Sequence, residues 1–249
     1  MMRKRKKLAP AVLLCAAVAL LLLSTVGSAR AALTYYSENY AMEVTVSSIG
    51  VTLTENGEPV SYRNYIEDGW SDSGTGLLLT ALAESEGRLV PGREYTEELG
   101  VTNSGAIDSY VRVILYRSWQ DGEGRKDTTL SPELIEIGLA EESGWVLDGK
   151  ASTPERLVLY YTEPLLSGES TPALCRSLRV NPDILSRVRE EVSETAEGEV
   201  ITTSYRYDGY WMCLEAEVDA VQTHSAEDAI RSAWGVGVTV GPDGRLALQ

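Results

Sequence analysis

From Met42 to its end the chain repeatedly alternates apolar with polar residues at a period of two, and a chain so patterned folds into strands. Met42, Val44 and Val46 point one way, with Glu43 and Thr45 between them. Ile49, Val51 and Leu53 resume after Ser47-Ser48 with the parity shifted by one residue, a shift that a bulge or corner absorbs. Val111, Val113 and Leu115 form another such set within SYVRVILYRSW. RLVLYYT, at 156–162, is nearly continuous in apolar residues, which predicts a strand buried on both faces.

Turn residues separate these runs at Asn103-Ser104-Gly105, at Asp121-Gly122-Glu123-Gly124 and around Ser167-Gly168. ITTSYRYDGYWMCLEAEVDAVQ predicts a hairpin about Asp208-Gly209, a dipeptide suited to the positive φ of a type I′ turn. In its second run Met212, Leu214, Ala216, Val218 and Ala220 share one face. Glu215, Glu217 and Asp219 share the other, which is expected to be wet, with Cys213 on that acidic side. SAEDAIRSAWG, at 225–235, predicts a helix capped by Ser225, with Asp228 three residues on and Gly235 as its stop. Its apolar face is Ala229, Ile230, Ala233 and Trp234. NPDILSRVREEV, at 181–192, is a weaker helical candidate. Residues 56–76 and 118–130, rich in Gly, Ser, Asp and Glu, read as long exposed loops. No period of 20–50 residues recurs, so a solenoid is not expected. Many short strands and one late helix predict an all-β, antiparallel sandwich with one or two short helices.

The first thirty residues are of another kind. MMRKRKK supplies five basic residues, an unbroken apolar run comes next from Ala11 to Leu23, and Ala29-Arg30-Ala31 is a small-x-small site. That order predicts a secretory signal peptide, residues 1–32, cleaved after Ala31 or Ala32. The alternative is an anchor that stays in the membrane, though the apolar run is short of the ~20 residues a span needs. Residues 33–249 read as a single domain. The C-terminal GPDGRLALQ carries neither a hydrophobic tail nor a sorting motif, so a secreted or loosely surface-associated protein is expected.

Charge narrows the partners. The whole chain carries −15, and the signal takes six of its 22 basic residues and none of its 37 acidic ones, leaving −21. A body so acidic repels phosphate backbones and anionic lipid surfaces, so neither nucleic acid nor membrane is an expected partner beyond the uncleaved signal. There is no Phe, so 13 Tyr and five Trp supply the aromatic packing. Cys15 belongs to the signal, and Cys175 and Cys213 remain either as one disulfide or as two free thiols.

Motifs of chemistry are scarce. His224 is the one histidine, just before the Ser225 cap, and reads as a surface imidazole. There is no G-x-S-x-G, G-x-G-x-x-G, P-loop or C-x-x-C. DGEGRKD, at 121–127, alternates acids as a calcium loop does, but Arg125 stands at a ligand position. Carboxylate pairs such as Glu97-Glu98, Glu141-Glu142 and Glu190-Glu191 are too abundant to single out one. No catalytic residue, metal or cofactor is assigned.

Four stretches in order resemble the TasA/camelysin-like family of exported proteins of Gram-positive bacteria. They are ALTYYSEN leading into SSIGVTLTENG, PGREYTEELGVTNSGAIDSYVRVILY (91–116), YYTEPLLSGESTPALCRSLRV (160–180) and YWMCLEAEVDAVQTHSAEDAIRSAWGV (210–236). Cys175, where an aromatic residue is common, and the start Leu33-Thr34-Tyr35-Tyr36 depart from that pattern. The resemblance implies a jelly-roll-like β-sandwich, a signal processed by a SipW-type signal peptidase, and a fibre or matrix role in biofilm. It also implies that the N-terminal strand, here within 33–47 with Met42, Val44 and Val46, can complete a neighbour's sheet. Self-association or related matrix proteins are thus the expected partners. Two other readings stand beside it: an adhesin or binding module using loops near Trp70 and Trp119, and a metalloprotease, a label some camelysin-like relatives carry.

Overall fold

The computed structural model describes residues 48–66, 69–195 and 198–249. The residues expected at the signal cleavage site, Ala29, Ala31 and Ala32, and the donor-strand candidates Met42, Val44 and Val46 lie outside them. Along the chain come β1 (Gly50–Glu55), β2 (Glu58–Ile66), β3 (Gly69–Asp72), β4 (Gly76–Leu77) and α1 (Thr80–Glu86). Next are β5 (Glu94–Asn103), β6 (Ser109–Gln120), β7 (Lys126–Asp127), β8 (Ile135–Leu139), β9 (Trp145–Leu147) and β10 (Arg156–Tyr161). The last part holds β11 (Cys175–Val180), β12 (Val188–Thr195), β13 (Gly198–Tyr205) and β14 (Trp211–Gln222). It ends with α2 (Ala226–Trp234), β15 (Val238–Val240) and β16 (Leu246–Leu248).

Two antiparallel sheets carry the fold, as the alternation predicts. One runs β3-β2-β1-β5-β11-β8, the other β4-β14-β6-β10-β9 with β7 beside β6. Their inner faces bury Val51, Leu53, Leu99, Val101, Val113, Leu115, Leu214 and Val218 against one another. Val111, Val113 and Leu115 occupy the inner face as expected. β10 is buried on both sides: Leu159 joins this core, whereas Val158 and Tyr160 join a second cluster on the outer face.

That outer cluster corrects the expectation of a wet face. The side bearing Glu215, Glu217 and Asp219 is not uniformly hydrated, because α2 and the β15–β16 pair pack over part of it. Val221 and Tyr110 meet Ile230, Val238 and Leu246 there, and the Trp234 ring sits 5.5 Å from that of Tyr160. Asp219 is buried because its register partner on β6 is Arg112, so a charge on that face is neutralised rather than hydrated.

Other expectations shift for similar reasons. Asp208-Gly209 does not close a β13–β14 hairpin. β14 pairs with β6 along its whole length, and β13 turns back on β12 instead. The helical candidate 181–192 is a short 3₁₀ turn, Pro182–Ser186, followed by the start of β12. Much of 56–76 is strand: Asn56 (φ 51°) and Gly57 (φ 89°) both take left-handed backbone, so Asn-Gly makes the tight hairpin joining β1 to β2. α2 ends at Gly235 (φ 70°) as predicted, but Ser225 is itself left-handed and its side chain makes no cap, and Ala233 is exposed.

Candidate functional site

The feature that stands out is an unfinished sheet edge. β4 pairs with β14 only at Glu215 and Ala216, and the Leu78 N–H adds one bond to the Leu214 carbonyl. From Glu217 to Gln222 no strand lies along this side of β14 among the described residues. The facing sheet continues past that point with β2 and β3. By register, Arg63 shares the inner face with Ser61 and lies opposite Asp72, while Tyr65 lies opposite Trp70. Between these strands and β14 is a slot of about 150 Å³, lined by Arg63, Asp72, Gly74, Glu217 and Val218. A strand edge with unpaired N–H and C=O groups is a template for another strand.

An ionic cluster holds the two sides of the slot. Arg63 from β2 and Arg112 from β6 both donate to the Asp219 carboxylate, which is 6% exposed. Trp70 covers the Arg63 guanidinium at 4.8 Å, and Trp234 covers that of Arg112 at 5.2 Å. The Nε of each arginine is buried with no acceptor, and Asp219 is the acid on which both guanidinium groups converge, with the Tyr160 hydroxyl beside Arg112.

The first described residues are also held by backbone hydrogen bonds. The Ser48 carbonyl accepts from the Ala106 N–H, and the Gly50 carbonyl from the Gly105 N–H. A Cβ on Gly105 would stand 2.5 Å from both the Ser48 oxygen and the Gly50 nitrogen, so backbone crosses backbone there. This turn, Asn103–Ala106, lies at the end of the sandwich where Gln222 of β14 pairs with Ser109. Ser48, the first described residue, therefore lies at the end of the sandwich where the open edge of β14 finishes.

A buried acid pair sits at the opposite end of β1. Glu55 and Glu97 both face the core, Glu97 at 1% exposure, and the Glu55 carboxylate also accepts the Leu79 N–H that opens α1. Burial chiefly, then the hydrogen bond and charge of Glu55, push Glu97 up to about 8, against the pull of the Asn56 amide. Glu97 Oε1 is buried without a hydrogen-bond partner, while Oε2 accepts from the Asn56 amide.

The two cysteines are free thiols, so the disulfide alternative does not hold. Cys175 lies in the core of one sheet opposite Leu99, and Cys213 lies on the outer face of the other opposite Ser118. Burial first, and then the charges of Glu97, Glu55 and Glu98, push the Cys175 thiol up to about 12. Burial and Glu215 raise Cys213 as well, but it is only half-buried. Native labelling with a maleimide is expected to modify Cys213 alone, with Cys175 reacting only after denaturation. Equal native labelling, or a band shift on reduction, would contradict this arrangement.

The remaining candidates resolve simply. Trp119 is not in a loop: it is buried, and its indole N–H donates to the Ser131 carbonyl. It forms one wall of an open cavity of about 290 Å³, with Leu79, Leu82, Ile184, Tyr207 and Met212, and the 64% exposed Trp211 stands at its rim. Asp121 accepts from the backbone of Arg125 and Glu123, Arg125 pairs with both Asp121 and Glu123, and Asp127 accepts from Thr129 and the Tyr210 hydroxyl, so each DGEGRKD acid already has a protein partner. His224 is exposed. Among the described residues no group of three or more His, Cys, Asp or Glu is placed to hold a metal ion, and no helix is long and apolar enough to cross a membrane. Comparison with protein-family models, curated proteins and solved structures finds no match.

Proposed function

We propose that this chain is an exported, non-enzymatic structural subunit of the cell surface or extracellular matrix, assembling when its N-terminal segment pairs with the open edge of β14 on a neighbouring copy. The observation that carries the reading is the open strand position beside Glu217–Gln222, roofed by β2 and β3. A strand placed there gains main-chain hydrogen bonds on one side and a half-built apolar face, Val218 and Ala220, on the other. Residues 33–47 suit it, since Met42, Val44 and Val46 alternate with Glu43 and Thr45. A contact that passes from one copy to the next without closing builds a filament. The motif order shared with the TasA/camelysin-like family supports the same reading, as does the signal-like N-terminus with cleavage by a signal peptidase.

Removing residues 33–47 from the processed chain is expected to abolish filaments in electron micrographs while leaving the far-ultraviolet circular dichroism intact. A synthetic peptide of 33–47 is expected to cap the growth of the intact protein. The reading fails if residues 33–249 stay monomeric by light scattering at high concentration with 33–47 protected from proteolysis. An adhesin is the second reading, favoured by the exposed Trp211 at the mouth of the end cavity and by Trp70, which is 47% exposed. A glycan array probed with the truncated protein separates the two.

A further inference from the structure

The β12–β13 hairpin has no core of its own. Every residue of β13 is exposed, including Ile201 at 60%, and Val188 and Val192 on β12 are exposed as well. Val192 pairs with Ile201 and Val188 with Tyr205, so these four side chains lie on one face. A lone two-stranded hairpin is marginal in water and gains stability only when a further strand or surface covers it. We infer that this hairpin is a self-association arm, on which a second copy of this chain docks antiparallel through β13.

The outer edges of the two strands differ. β12 carries Glu190, Glu191 and Glu194, charges of the sort that guard an edge against pairing. β13, GEVITTSY, carries one charge, Glu199, and is otherwise rich in β-branched residues. Its outer edge is the unguarded one.

Charge selects the partner. At the root of the hairpin the Arg206 N–H bonds to the Arg187 carbonyl, and both side chains are exposed. Neither guanidinium takes part in an ion pair among the described residues, in a chain of net charge −15. Toward the tip lie Glu194 and Glu199, which pair across the hairpin. The arm is therefore basic at its root and acidic at its tip. A two-fold axis perpendicular to the hairpin sheet sets two β13 strands antiparallel, and each acidic tip then meets the other copy's basic root. Every such contact occurs twice, as in any isologous interface. Parallel pairing would set like charges together at both ends. Joining the two hairpins makes a four-stranded sheet and continues the apolar face of one, Ile201 and Tyr205, into that of the other. This contact is separate from the β14 edge and does not depend on residues 33–47.

The test is sedimentation velocity of residues 33–249 across a wide concentration range. A reversible dimer is expected, weakening as salt is added because its ends are held by exposed charges. Arg187→Glu with Arg206→Glu is expected to weaken the dimer about tenfold or more, and so is Glu194→Arg with Glu199→Arg. An equimolar mixture of these two variants is expected to form a heterodimer, and the chain carrying all four reversals is expected to regain self-association. Deleting 33–47 leaves this dimer intact, which separates its failure from that of the filament proposal. A monomer at every concentration, or an association that neither pair of reversals weakens, overturns the inference. So does an association that requires a different protein added to the cell.

Discussion

Replacing Asp219 by alanine is expected to lower the stability of the fold by about 3 kcal/mol, read as a melting temperature lower by roughly 6–12 °C. Two arginines converge on this carboxylate, and their Nε atoms already have no acceptor. Removing the carboxylate leaves Arg112, 13% exposed in its side chain, and Arg63 without the acid to which both donate. Breaking a buried ion pair by deleting one partner typically costs about 3–5 kcal/mol, and the 31% exposure of Arg63 places this case at the low end. The contrast that identifies the cause is a triple replacement, Arg63→Met, Arg112→Met and Asp219→Leu. Apolar residues of similar volume restore most of the loss, because the deficit in the single variant comes from stranded charge and not from missing shape. If Asp219→Ala melts with the native protein, the cluster is not what ties β2 to β14.

Raising the pH from 5 to 9 is expected to remove several kcal/mol of stability, and Glu97→Gln is expected to flatten that loss. In the unfolded chain Glu97 ionises at its ordinary value of 4.5, and in the fold only near 8. The folded state therefore holds the proton more tightly. Its contribution is complete below pH 4.5 and is lost as pH rises through the folded value. Each unit of separation corresponds to about 1.4 kcal/mol. The groups beside Glu97 are the Glu55 carboxylate, the Asn56 amide and the Cys175 thiol, which donates to the Glu97 carbonyl. Glu55 also holds the Leu79 N–H, so the charge that Glu97 gains appears beside the start of α1. Asp121 and Asp127, lowered mainly by hydrogen bonds within their turns, act in a separate acid window and in the opposite sense. Urea midpoints at the two pH values measure the effect. A native profile flat between them would remove the proton from the pair.

The sandwich was legible because its central strands are buried on a face that alternation reports directly. Val111, Val113 and Leu115, the doubly buried Leu159 and Tyr160, and the Asn103–Gly105 turn all fall where the pattern places them. What was lost depends on partners rather than on local pattern. β13 has the composition of a strand, but nothing in it says that β12 and not β14 lies alongside. α1, TALAESE, buries no residue and so has no apolar stripe to read. The Asn56-Gly57 hairpin was visible in two letters and was obscured by polar edge strands on its far side. Of the proposed assembly site, the donor candidate is a sequence pattern that lies outside the described residues. The proposed acceptor is the lack of a described neighbour beside Glu217–Gln222, which becomes apparent only when every other described strand has been placed.

The pairing of β6 with β14 also governs when the fold can close. Tyr116 is held beside Glu215, and Ser109 beside Gln222, so the central ladder of this sheet joins residues far apart in the chain. The facing sheet and the β6–β10–β9 part of this one are built from residues 50–180, so what waits for residues 211–222 is the ladder that fills the space between β4 and β6. Long-range pairing of this kind is intrinsically slow, which makes the arrival of β14 the late step in closing the sandwich.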